Sequence, residues 1–334
     1  MSSSLKVMGK FLDQPILIAK LGKAVPAGLA GGAALFTLHK TFEEKNSKKR
    51  QKVFVQNSLV LGSTIASALV APKIATAITK KKALTPLKQI ITDNTKNIDE
   101  FVSSRTLGTK VEGVLKKAKT KILSPKEIQM INGEMKGNDA KAFMDKLIPP
   151  PENVSSKDIF SEIGWLSIVG ACPVAGGVAG GVLADKVNGD NWKKRLPDKI
   201  KEGSYQYLAN IFLCNVGAGA ALGIMEKHNI KSRAARGLGM VAGIVATGVI
   251  GGSKIANYIG DKVINPICHC KKTVEKGDER TPELVDIGLH TDDIATVSLL
   301  SGLKWIEPML PILYTVSGYR AGIGYRNNEK CEKV

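Results

Sequence analysis

Residues 163–184 read IGWLSIVGACPVAGGVAGGVLA, a run of 22 positions without Lys, Arg, Asp or Glu. A helix rises about 1.5 Å per residue, so roughly 20 apolar positions cross the hydrocarbon core of a bilayer. Length alone would also suit a buried helix of a soluble domain. Repetition decides between the two. Charge-free runs recur over Val53–Pro72 (20 residues) and Gly203–Met225 (23 residues). Gly237–Ser253 has 17 and reaches Tyr258 if Lys254 lays its stem on the apolar surface and keeps its ammonium in water. Two further stretches are marginal. Ala24–Leu38 has 15 uncharged residues, and Ile294–Tyr319 contains Lys304, Glu307 and two prolines.

The chain is strongly charged elsewhere: 48 basic and 30 acidic side chains give a net +18 over 334 residues. The basic residues flank the uncharged runs, where snorkelling and anionic headgroups favour them. A nucleic-acid role would pair a basic face with an aromatic platform or reading helix, yet Tyr and Trp are absent before Trp165. The expected partner is therefore the lipid bilayer and its anionic headgroups, with no nucleic acid. Trp165, Tyr205, Tyr207 and Tyr258 stand near the ends of candidate spans, as an interfacial aromatic belt requires. The N-terminus lacks an apolar run followed by a small-residue cleavage site.

The expected fold is all-α: a polytopic α-helical membrane bundle of four to six glycine-rich spans with a helical extramembrane segment. Residues 1–78 read as an apolar helical hairpin and 79–162 as a basic amphipathic segment outside the membrane. A three-span core follows over 163–259, then an acidic loop over 260–293 and a proline-broken apolar segment with a polar tail over 294–334. In the extramembrane part, Val111, Val114, Leu115, Ala118 and Ile122 recur at helical spacing among lysines. That face suits a small packed domain better than a membrane surface. Ser124-Pro125-Lys126-Glu127 has the N-cap, N1 proline and N3 glutamate of a capped helix start. Gly32-Ala-Ala-Leu35 with Lys73-Ile-Ala75 recurs as Gly219-Ala-Ala-Leu222 with Lys254-Ile-Ala256, a short internal similarity between two hairpins.

Thirty-four glycines would weaken ordinary helices, since an interior Gly costs about 1 kcal/mol relative to Ala. Their spacing suggests what offsets this. Gly239, Gly243, Thr247 and Gly251 recur every fourth residue, as do Cys172, Gly176, Gly180 and Ala184, with Gly177 and Gly181 alongside. Asn215, Gly219 and Gly223 repeat the pattern. Small residues at this spacing form a groove in which backbones approach closely in lipid. The same faces would serve self-association into a homo-oligomer.

Chemistry-bearing patterns are sparse. Cys268-His269-Cys270 is too tightly spaced for zinc without a second ligand pair, and five cysteines form no disulfide framework. No metal or cofactor is expected, and no nucleophile–base–acid set points to an enzyme. Glu307, in a proline-broken apolar stretch, is the candidate transport-site residue, because a carboxylate at membrane depth is costly unless it serves a purpose. A place at the interface, or pairing with Lys304 three residues earlier on the same face, is the favoured reading of this residue. The sequence points first to a non-enzymatic integral membrane structural or assembly protein that anchors the extramembrane segment for a protein partner. A transporter or channel using the broken final span is the alternative, and a soluble or peripheral helical protein with a Gly-rich core is the third reading.

Overall fold

In a computed structural model that describes residues 3–80, 85–135, 137–148, 156–230, 233–267, 270–272, 304–325 and 331–333, the chain is almost wholly helical. Helices α1 (Ser3–Leu12), α2 (Pro15–Glu43) and α3 (Ser47–Thr79) lead into four short ones. These are α4 (Leu87–Ser103), α5 (Thr109–Ala118), α6 (Pro125–Glu134) and α7 (Gly137–Leu147). After α8 (Ser156–Val187), a continuous run comprises α9 (Trp192–Tyr207), a π-helical stretch (Leu208–Phe212) and α10 (Leu213–Lys227). A second run comprises α11 (Arg233–Ile244), π-helical Val245–Gly252, α12 (Ser253–Ile259), π-helical Gly260–Ile264 and α13 (Asn265–Ile267). A 3-10 turn at Lys304–Met309 precedes α14 (Leu310–Ile323). The short strands β1 (Cys270–Lys272) and β2 (Cys331–Lys333) pair antiparallel, with Cys270 opposite Lys333.

Among the described residues, five helices are long and apolar enough to cross a membrane: Pro15–Glu43, Ser47–Thr79, Phe160–Val187, Trp192–Lys227 and Leu238–Ile267. The marginal stretch around Ala24–Leu38 is thus extended on both sides into a full-length helix. Of the last apolar stretch, only residues 304–319 lie among those described. Pro308 and Pro311 leave there a 14-residue helix, short of a span. The architecture is an all-α polytopic bundle.

The chain divides into two compact units, and the division falls inside α2 between Val25 and Pro26. The first joins Met1–Val25, Ala83–Asn153 and Ser301–Met309. The N-terminal residues, expected as part of a hairpin, are therefore grouped with the 83–153 helices. That unit has its own core of Ile98, Phe101, Leu115, Leu123, Ile128 and Phe143. Val111, Leu115 and Ala118 are buried in it, so the apolar stripe of α5 faces protein. Gln14 is also buried: its amide donates to the Leu123 carbonyl at 2.8 Å, and its oxygen accepts from the Leu123 N–H at 2.7 Å. α6 begins with the expected capping box, Ser124 Oγ accepting from the Glu127 N–H while the Glu127 carboxylate accepts from the Ser124 N–H.

The second unit comprises Pro26–Lys82, Val154–Leu300 and Leu310–Val334. α8 runs between α3 and α14, and its paired glycines divide between them. A Cβ on Gly180 would lie 2.7 Å from the Leu59 carbonyl oxygen, and one on Gly176 2.9 Å from that of Ser63, both on α3. Gly177 and Gly181 abut the backbones of Gly318 and Gly322 on α14. Gly217 on α10 and Gly243 on α11 meet in the same manner. Hydroxyls in these helices bond within their own turns: Ser63 to Leu59 O (2.8 Å), Thr64 to Val60 O (2.7 Å) and Thr315 to Pro311 O (2.6 Å). None of these three hydroxyls needs water, as hydrocarbon demands. The outward faces carry large apolar side chains, among them Leu35 (72% exposed), Leu183, Ile224, Leu238 (74%) and Ile250. Small and polar residues inside, bulky apolar residues outside, is the distribution a lipid solvent favours. The two hairpins that share a short sequence similarity differ in closeness: α10 packs tightly on α11, whereas α3 is packed chiefly on α8.

Candidate functional site

The polar interior of the second unit is built on α9. Asn191 caps its start, accepting from the Lys194 N–H at 3.2 Å. Four-residue spacing then places Glu202, Gln206 and Asn210 on one face. All three are buried, and Glu202 has no exposed surface. Their side chains bond head to tail: the Gln206 amide donates to Glu202 Oε1 at 2.8 Å, and the Asn210 amide donates to Gln206 Oε1 at 3.0 Å. Arg320 of α14 brings its Nε to 3.8 Å from the same Glu202 oxygen, and its guanidinium lies over the Tyr325 ring, 4.5 Å from the centroid. An amide ladder thus leads from an ion pair into the charge-free run.

A second ionic cluster lies beside its outer end. Lys199, buried on α9, donates to the Gly322 carbonyl at 2.7 Å and stands 3.3 Å from the Asp185 carboxylate of α8. Asp185 also accepts from Arg195 at 3.0 Å. Arg195 reaches Asp190 at 2.8 Å, and Lys52 of α3 donates to Asp190 at 2.6 Å. The Lys52 ammonium and the Arg195 guanidinium hold the Asp190 carboxyl below the ordinary carboxylate range. Exposure falls from about half at Lys52 and Arg195 to 1% at Asp185 and Lys199, so the chain of charges runs inward from water.

The π-helical stretch Leu208–Phe212 holds Asn210 and shifts the backbone register, so that the Leu213 N–H bonds Leu208 O. Groups displaced by such a widening must be satisfied by neighbours. Thr247, in the facing π-helical stretch, donates to Leu213 O at 2.7 Å, and Cys214 Sγ donates to Ala209 O at 3.0 Å. The close approach requires Gly252, where a Cβ would lie 2.7 Å from the Cα of Ala209. Tyr205 OH and Ser253 Oγ share a hydrogen bond at 3.1 Å one turn away.

Glu307, the candidate from sequence, lies half-buried on the 3-10 turn and belongs to the first unit. Of the candidate packing glycines, Gly176, Gly177, Gly180, Gly181 and Gly243 meet backbones of other helices, and Gly239 meets the Met225 sulfur. Gly219 is buried, Gly251 is in ordinary contact with its own helix, and Gly223 has nothing within 4 Å. Cys268 and His269 lie outside the described residues. Among the described residues no group of three or more His, Cys, Asp and Glu side chains could hold a metal ion. An open cavity of about 390 Å³ lies at the end of α2 and the start of α3, lined by Lys40, Glu43, Glu44, Gln56, Asn57 and Tyr319. There Tyr319 OH donates to Asn57 Oδ1 at 2.7 Å.

The ladder escaped the sequence reading because Glu202 falls one residue before the charge-free run Gly203–Met225. The readable signal was the four-residue recurrence Glu202, Gln206, Asn210 crossing into that run. Comparison with protein-family models, curated proteins and solved structures finds no match to this chain.

Proposed function

We propose that this chain is an integral membrane protein that moves an ion or small solute along the polar seam between α9 and α14. The observation that carries this reading is Glu202, a carboxylate without exposed surface that opens a ladder of amides inside a membrane-length helix. Desolvating a carboxylate in hydrocarbon is costly, and such residues in membrane bundles belong by default to ion pathways and relays. The adjoining π-helical stretch supports the reading, since these insertions concentrate at functional positions. The transport site shifts from Glu307, as expected from sequence, to Glu202 and Arg320.

Lys186 and Lys193 flank the Trp192 ring at 4.8 and 5.8 Å from its centroid, an arrangement suited to an interface with anionic headgroups. Gly28, Gly31 and Gly32 of α2 have nothing within 4 Å, which leaves a small-residue face for a second copy. No enzymatic activity is part of this proposal.

Proteoliposomes carrying the full chain test it, assayed for movement of K+, Na+, Cl− and protons against empty liposomes. Flux above background that falls in Glu202→Gln and Arg320→Gln, but not in Glu307→Gln, supports it. A chain that passes nothing removes it. A second reading is then favoured by the first unit's separate core: a membrane structural or assembly protein whose bundle anchors the α4 to α7 helices for a protein partner.

A further inference from the structure

We infer that the open cavity at the turn between α2 and α3 holds the headgroup of an amino-phospholipid, its phosphate on Lys40 and the amides of Gln56 and Asn57, its primary ammonium on Glu43 and Glu44. This goes beyond the transport reading and does not need it; it needs only that the bundle stands in a membrane. Depth carries the first step. The uncharged stretch of α2 ends at Leu38 and that of α3 begins at Val53. The cavity, about 390 Å³, straddles that boundary: Lys40, Glu43 and Glu44 line it at the end of α2, and Val53, Gln56 and Asn57 line it from α3. Charged side chains give way to apolar ones at the level of the headgroups. The turn between α8 and α9 is tied to the same end of the bundle, since Lys52 donates to Asp190 and Asn188 donates to Lys52 O at 3.0 Å. That turn leads into Trp192, an aromatic suited to the same interface.

The lining supplies donors that the chain itself leaves unused. Asn57 is 5% exposed, and its Oδ1 accepts from Tyr319 OH, while its Nδ2 has no acceptor among the described residues. A buried donor in that state is costly unless an occupant of the cavity supplies the acceptor. Gln56, half-buried beside it, likewise makes no side-chain hydrogen bond among the described residues. A phosphate diester has two charged oxygens and satisfies both amides and Lys40 together. Six basic and two acidic side chains between His39 and Lys52 draw an anion to this turn. The two acids decide which anion. Glu43, 2.8 Å from Lys40, and Glu44, which accepts from the Asn46 N–H at 3.0 Å, repel a lone phosphate. They suit a headgroup whose phosphate is followed by a primary ammonium with three N–H donors; a choline has no N–H to offer, and a phosphoglycerol has no cation. The source is a lipid because Leu35, Phe42 and Phe54, on the same stretches of α2 and α3, expose large apolar side chains on which acyl chains can lie.

The test uses the full chain, delipidated in a non-ionic detergent and melted with increasing mole fractions of phosphatidylethanolamine, phosphatidylcholine or phosphatidylglycerol in the micelle. Soluble phosphoethanolamine is titrated in parallel. A ligand that binds the folded state raises the melting temperature as it saturates. Phosphatidylethanolamine should do so more than either other lipid. Gln56→Leu, which breaks no described hydrogen bond, and Asn57→Leu should each raise the half-saturating mole fraction by about tenfold. Joint Glu43→Gln and Glu44→Gln should erase the preference over phosphatidylcholine. Phosphatidylglycerol acting as strongly as phosphatidylethanolamine overturns the ammonium pairing, and an equal response to soluble phosphoethanolamine overturns the lipid as its source. A response that Gln56→Leu and Asn57→Leu leave unchanged overturns the cavity as the site, and three lipids without effect overturn the proposal altogether. Glu202→Gln should leave every lipid response intact, so lost flux in that variant and lost headgroup binding in these are read apart.

Discussion

Gly177 of α8 and Gly318 of α14 meet backbone to backbone, so close that a Cβ on Gly177 would lie 3.0 Å from the Gly318 Cα and closer still to its carbonyl. The α8 backbone cannot retreat freely, because α3 holds it on its other side through Gly176 and Gly180. In lipid, apolar burial supplies little drive for association, so dispersion contacts at such approaches hold helices together.

Gly177→Ala should therefore destabilise the bundle by about 1–3 kcal/mol, the usual range for overpacking. Gly223→Ala, on a helix face open for 4 Å, should be neutral or stabilise by up to about 1 kcal/mol through helix propensity. Thermal unfolding of both variants in detergent checks this. Equal melting temperatures for the two would remove the close approach as a source of stability.

Asp190 should make stability fall in acid. Its carboxyl is held low by the Lys52 hydrogen bond first, with Arg195 adding to it. A depressed folded pKa means the contribution is fully present above the unfolded carboxyl pKa of about 4 and disappears as pH drops through the lower folded value. Both cations are half exposed and screened, so the effect is small. Asp190→Asn should lower the melting temperature at neutral pH and flatten its decline below about pH 4. An acid limb parallel to that of wild type would contradict the assignment.

Gln14 should hold the approach to α6 in place. Gln14→Met keeps the volume but leaves the Leu123 N–H and carbonyl without their side-chain partner, which costs about 1–3 kcal/mol for a buried group. Hydrogen exchange of the full chain in detergent should become faster around residues 121–124. Unchanged exchange there would mean that water replaces the glutamine.

Runs of 20 to 23 residues without charge, set against dense lysine elsewhere, were enough to determine an all-α membrane bundle, because hydrocarbon admits few other structures. The capping box at Ser124 and Glu127 was legible for a similar reason: its partners are three residues apart, and local geometry brings them together. Glu202 and Arg320 are separated by 118 positions, and nothing in their spacing along the chain indicates that they meet. Pro308 and Pro311 marked the last apolar stretch as broken, but did not show that α14 would pack among the longer helices against α8. Which carboxylate is buried and which cation faces it depends on side-chain direction across packed helices, and only the tertiary arrangement supplies that.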